Sequence, residues 1–259
     1  MQIGSMNNPR EDICKEIEWI AKNGFDFIDC TLEPTASQYN QINITNTKKL
    51  LLKHKLGIVG HIGDWALPKY SDYESLRKAS EKEILNAMTA LHSLGAKVIT
   101  IHAPEFHKRN FDKTYQRATA LIKTLLRHAR KLGVRLVLEN TDSCERHILQ
   151  MLHRLLKDNP TLGLHIDVGH ANIGVKQNIT PQLLKRYGKR VMRYHLSDNS
   201  GRHDEHLALG KGKINWPKII KDIKRNGYDG TITVETFRSG RQGTINSMKT
   251  LRKLWMGSR

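Results

Sequence analysis

Short β-type runs alternate with longer helical patterns from end to end of the chain, and eight such pairs can be counted. This alternation limits the fold more than any other feature, because repeated βα units lay down a parallel sheet covered by helices. The strand runs are "QIG" near the start, "DFIDC" at 26–30, "GIVGH" at 57–61, "KVITIH" at 97–102, "RLVLE" at 135–139, "LGLHID" at 162–167, "RYHLS" at 193–197 and "TITVE" at 231–235. The helices show apolar residues at i, i+3, i+4 and i+7, as in "ICKEIEWIAKNG", "LRKASEKEILNAMTALHSLG" and "WPKIIKDIKRNG". Gly24, Gly95 and Gly227 stand where a helix C-terminus calls for glycine.

Seven intervening helices and a last one, "TINSMKTLRKLW", predict an α/β fold, a single (β/α)8 TIM barrel over residues 1–259. A length of 259 residues suits one barrel domain. An open doubly wound sheet is the architectural alternative. Its main nucleotide-binding forms are excluded, since neither GxxxxGK[ST] nor a GxGxxG after the first strand occurs.

Barrel enzymes place their chemistry at the C-terminal ends of the strands, so the residue closing each strand matters most. His61 follows the third strand, His102 the fourth, Glu139 the fifth and Asp167 the sixth, while His195 lies in the seventh and Glu235 closes the eighth. A single strand-end histidine is ordinarily hydrogen-bonded in a core, and a single glutamate ordinarily caps a helix. Six ligand-type residues on one rim have a common explanation in a metal site. His170 follows Asp167 across a turn, and "HLSDNSGRHDEHLALGKGKI" adds Asp204 and His206, which brings the candidate ligands to nine. Imidazole with carboxylate and no thiolate suits zinc or manganese, with cobalt or magnesium as alternatives, and nine ligands leave room for one to three ions.

On the motifs "LENT" (138–141), "DVGH" (167–170), "HLSD" (195–198), "DEHLALGKGKI" (204–214) and "VETF" (234–237), the chain resembles the xylose isomerase-like barrel superfamily over nearly its whole length. That superfamily includes sugar-phosphate isomerases, ketose epimerases and the endonuclease IV type of abasic-site nuclease. By this resemblance, Glu139, Asp167, His195 and Glu235 hold one divalent ion in an isomerase or epimerase. Glu139 and Glu235 then move a proton next to a polarised carbonyl, and His170 orients a substrate hydroxyl. In the nuclease alternative, His61, His102, Glu139, Asp167, His170, His195, Asp204, His206 and Glu235 hold three zinc ions and cleave abasic-site DNA. Three features favour the isomerase: the short stretch between His195 and Asp204, "DVGH" where the nuclease carries a cysteine before the histidine, and the opening "FDFIDCTLEP". The resemblance also implies a homo-oligomer.

The expected partner is a sugar or sugar phosphate. In "FRSGRQG", Gly240 and Gly243 would admit a phosphate to the backbone, with Arg238 and Arg241 as forked donors and Lys211 of "GKGK" assisting. Under the nuclease alternative, Lys108 and Arg109 would track a DNA backbone and Trp65 or Phe106 would stack a base. The excess of 43 Lys and Arg over 25 Asp and Glu, +18 in all, would steer polyanions or form a solvated surface. His165, two residues before Asp167, reads as a core or ligand-supporting histidine, whereas His54, His92, His128, His147 and His153 fall on helical patterns. His203 and His107 lie in rim loops. Cys14, Cys30 and Cys144 are odd in number and lack CxxC spacing, which argues against disulfides and a thiolate zinc site. With no membrane-length apolar run and no signal-type start, a cytoplasmic protein is expected.

Overall fold

A computed structural model describes residues 1–106 and 108–257, so His107 lies outside the described residues. Eight parallel strands close on themselves in sequence order, with β8 pairing back to β1 through Gln2 and Thr231. The strands are β1 (Gln2–Met6), β2 (Phe27–Leu32), β3 (Gly57–Ile62), β4 (Val98–His102), β5 (Arg135–Glu139), β6 (Gly163–Asp167), β7 (Val191–Leu196) and β8 (Thr231–Val234). The helices that follow them are α1 (Ile13–Lys22), α2 (Ile44–Lys53), α3 (Glu74–Leu94), α4 (Phe111–Leu132), α5 (Arg146–Asp158), α6 (Thr180–Tyr187), α7 (Trp216–Arg225) and α8 (Gly240–Gly257).

The expected (β/α)8 barrel is therefore the observed fold, with shifts at element ends. β1 runs on to Met6 beyond "QIG", β7 begins at Val191, Ser197 and Glu235 fall just past their strands, and α8 starts at Gly240. Such ends depend on cap geometry, which apolar spacing does not encode. α1 shows the local logic: Asp12 accepts from the Cys14 and Lys15 backbone amides, Ile13, Ile17 and Ile20 bury one face, and Gly24 at φ +77° ends the turn. α7 repeats it with Asn215 as cap, Pro217 in the first turn and Ile219, Ile220 and Ile223 packed inward.

Between helices and sheet the core is aliphatic, as in most barrels, but inside the barrel it is polar. Arg193 is fully buried and forms an ion pair with Asp29 Oδ2. Its Nη1 donates to the Gly60 carbonyl (2.8 Å) and to Thr100 Oγ1 (2.7 Å). Thr233 Oγ1 donates to Asp29 at 2.8 Å. His165 Nδ1 lies 3.1 Å from Thr100 Oγ1 and 3.1 Å from Glu139 Oε2, which is the interior place expected for it. This polar layer is the floor on which the strand-end residues stand.

Removing one member of a buried ion pair leaves the other without compensation. Arg193→Leu is expected to lower the unfolding free energy by about 3–5 kcal/mol, read from denaturant titration; an unchanged midpoint would refute the importance of the pair.

Candidate metal and active site

The nine strand-end and loop residues come together at the barrel mouth in three adjoining groups. In the first, His61 Nε2 and His102 Nε2 are 3.2 Å apart, with Glu139 Oε2 at 3.6 Å and 3.9 Å. Two nitrogens bound tetrahedrally to one zinc at about 2.0–2.1 Å would have a similar separation. In the second, His195 Nδ1 faces Glu235 Oε2 at 2.9 Å, Glu139 Oε1 at 3.4 Å and Asp167 Oδ2 at 3.9 Å. In the third, Asp204 Oδ2 stands 2.6 Å from His206 Nε2 and 3.4 Å from His170 Nε2. Glu139 belongs to the first two groups and links them.

Backbone architecture aims these groups. Asn140 grips the end of β6 with both ends of its amide: Nδ2 donates to the Asp167 carbonyl (3.0 Å) and Oδ1 accepts from the Asp167 amide (2.9 Å). Asp167 Oδ1 in turn accepts from the His170 amide at 2.6 Å, and His170 Nδ1 reaches the Asn140 carbonyl at 2.8 Å. Asp204 and His206 lie on the long β7–α7 loop, which is organised by buried Asp198. Its carboxylate accepts from the Gly210 and Ile214 amides and from Trp216 Nε1, and its backbone pairs with Leu207. His206 takes a left-handed backbone, φ +43°, a conformation rare outside glycine and often found at functional sites.

Hydrogen bonds within the protein leave these donors incomplete. Asp167 Oδ2 and Asp204 Oδ1 are buried with no hydrogen-bond partner among the described residues, and Glu139 Oε2 and His195 Nδ1 meet only the imidazole and carboxylate neighbours already named. Burial pushes Asp167 up to about 7, and the charges of Glu235 and Glu139 add to the effect. Burial works the other way on His206, yet Glu235 and Asp204 hold it at about 9. His61 falls to about 4 because burial outweighs its carboxylate neighbour, which keeps it neutral as a ligand must be. The mouth thus gathers negative charge with oxygen and nitrogen lone pairs, and the residues present fit one or more divalent cations.

A cavity of about 1140 Å3 opens above the groups. Of the expected substrate contacts, Trp65 and Arg241 line it; Trp65 is 67% exposed, on the 3-10 turn Asp64–Ala66. Arg238 and Lys211 are exposed and stand off the wall, with Lys211 in the turn folded over Asp198. Arg241 is already matched by Glu16 Oε1 at 2.6 Å and lies over the Trp19 ring. Gly243 makes room for Ser239, whose Cβ would sit 2.2 Å from an added methyl, so its lack of a side chain serves helix packing. Phe106 packs on Phe111 and His147, Lys108 and Arg109 occupy a short 3-10 turn, and His203 is exposed.

The model of the xylose isomerase-like TIM barrel matches residues 17–254. The chain belongs to that family. A ketose 3-epimerase of Arthrobacter globiformis is 24% identical over 239 residues, 88% of this chain and 79% of that protein. An uncharacterised protein of Methanocaldococcus jannaschii is 27% identical over 234 residues, 87% of this chain and 79% of its own. Among solved structures, a D-tagatose 3-epimerase-like protein superposes with a TM-score of 0.87 at 25% identity, covering 99% of this chain and 97% of that one.

Sequence reasoning missed Asp29, Asp64, Lys69, Asn140, Arg193 and Asp198. A period-two signal was available for one of this set: Arg193 lies two residues before His195, as Thr100, His165 and Thr233 lie two before His102, Asp167 and Glu235, and therefore shares the inward face.

Metal removal tests the fit. Chelator-treated protein is expected to melt roughly 10 °C below protein supplied with zinc or manganese at about a thousand times its dissociation constant; identical melting curves would count against a built site.

Proposed function

We propose that this barrel is a divalent-metal-dependent sugar isomerase or epimerase that transfers a proton at the carbon next to a carbonyl. The observation that carries this reading is the convergence of Glu139 and Glu235, from strands separated by β6 and β7, on His195 Nδ1 at the floor of a large cavity. The family's ketose 3-epimerase and the D-tagatose 3-epimerase-like fold support the substrate class.

A bound divalent ion supplies Lewis-acid polarisation of the sugar's carbonyl oxygen. The chain's own residues do the rest. Glu139, Asp167, His195 and Glu235 would hold the ion, and the two glutamates have second oxygens with which to take and return a proton. Two carboxylates approaching a substrate from different strands allow removal on one face and return on the other, as an epimerisation requires. His170 and His206 line the cavity beside them and are placed to hydrogen-bond substrate hydroxyls. Trp65 offers an apolar face for the sugar ring. The ion pairing of Arg241 with Glu16 makes a phosphate a weaker match than the neutral hydroxyls of an unmodified sugar.

A second reading rests on its own observation. The groups His61–His102–Glu139 and His170–Asp204–His206 flank the central one, which is the arrangement a three-zinc phosphodiesterase acting on abasic-site DNA would use.

In D2O with manganese or cobalt, a panel of ketoses is expected to show deuterium entering the carbon next to the carbonyl as the epimer forms. Glu139→Gln and Glu235→Gln should each reduce this turnover by roughly 10²–10⁴-fold while the chain still unfolds in one cooperative melting transition. Full turnover in both variants would defeat the mechanism, and cleavage of an abasic-site duplex with no sugar turnover would install the second reading.

A further inference from the structure

Two carboxylates outside the nine candidate ligands each end on one ligand imidazole, and each is itself clamped by a buried cation. Asp64 Oδ1 lies 2.6 Å from His102 Nδ1 and 3.1 Å from the His102 amide. Its other oxygen is held by Lys69 Nζ at 2.6 Å, and the same ammonium donates to the Asp64 carbonyl at 2.9 Å. Asp29 Oδ2 lies 2.7 Å from His195 Nε2 and is paired with Arg193. Asp64 and Asp29 are both buried, so neither reaches a substrate.

We propose that Asp64 and Asp29 are positioning residues that fix His102 and His195 in opposite tautomers. Each ring then turns a lone-pair nitrogen, Nε2 of His102 and Nδ1 of His195, to the carboxylates of the mouth. This inference rests on the metal-site reading above. A carboxylate held by a lysine or arginine is an acceptor only, so the ring nitrogen facing it carries the hydrogen. In a neutral imidazole the opposite nitrogen is then a bare acceptor. On His102 that nitrogen is Nε2, beside His61 Nε2 and Glu139; on His195 it is Nδ1, surrounded by Glu235, Glu139 and Asp167. Among the described residues every neighbour of those two nitrogens is a carboxylate or another imidazole, so what each nitrogen faces calls for positive charge: a proton on the ring when no metal is bound, a divalent ion when the site is loaded. Carboxylate–imidazole–metal triads of this kind orient the ring and raise its basicity. The two clamps differ in one respect. Lys69 lines the substrate cavity, whereas Arg193 is sealed in the barrel, so the His102 clamp alone reaches a wall that substrate touches.

The test uses the zinc-loaded full chain with ¹⁵N-labelled histidines, its resonances assigned by His102→Gln and His195→Gln. Long-range ¹H–¹⁵N spectra should show His102 protonated at Nδ1 and His195 protonated at Nε2; the reverse tautomer on either ring overturns its assignment. Zinc affinity, measured by chelator competition, should fall roughly 10–100-fold in Asp64→Ala and Asp29→Asn. Asp64→Asn, which keeps an acceptor oxygen without the charge, should fall in between. Folded variants that bind zinc as tightly as the parent chain would overturn the positioning roles alone, whereas a parent chain that binds no zinc would overturn the metal-site reading along with them. Should Asp29→Asn fail to fold, the tautomer of His195 in the parent chain still decides its case.

Discussion

Crowding of carboxylates where water is scarce is the constraint around which this molecule is built. Glu139, Asp167 and Glu235 stand at the ends of β5, β6 and β8, buried, each within 4 Å of the same His195 nitrogen on β7 between them. Negative charges at that spacing repel strongly in a low-dielectric setting unless positive charge is brought to them. The chain answers below the site with Arg193, and within it with imidazoles whose proton affinity the carboxylates raise against the pull of burial. Lone-pair atoms without partners remain, and a divalent cation would satisfy them together.

The barrel's interior follows from this demand. A usual barrel fills its centre with branched aliphatics, but here Asp29, Thr100, His165, Arg193 and Thr233 form a bonded polar layer directly beneath the candidate ligands. The aliphatic core is displaced outward, between strands and helices, where α1 and α7 present their isoleucines. Loops complete the site from above. Asp198 folds the β7–α7 loop so that Asp204 and His206 return to the mouth, and the turn after β3 delivers Asp64 to His102 and Trp65 to the cavity. The barrel fixes strand ends, and short hydrogen-bonded turns set side-chain direction.

The strand–helix alternation carried the fold, and strand-end position carried His61, His102, Glu139, Asp167, His195 and Glu235 to one rim, because parallel strands in a closed barrel all end on the same side. The supporting residues were harder to see. Asp64 and Asp198 act across loop distances that no periodicity marks, and Arg193 reads as an ordinary cation in a basic chain until its partner on β2 is known. The expected phosphate loop is harder to read for related reasons. Glycine and arginine in "FRSGRQG" are equally consistent with a phosphate cradle and with a helix start, and the contacts of Gly243 with Ser239 and of Arg241 with Glu16 favour the helix start. Surface charge was the least informative signal, since the chain's excess of +18 coexists with a carboxylate-rich mouth.

The central claim is that the barrel mouth is a metal site, and its most direct test is elemental mass spectrometry of metal content per chain, on protein purified without chelator. The account predicts at least one stoichiometric divalent transition-metal ion per chain, with about three if the flanking groups fill together with the central one. A chain that retains no stoichiometric ion, and takes none up from zinc, manganese or cobalt, would contradict it.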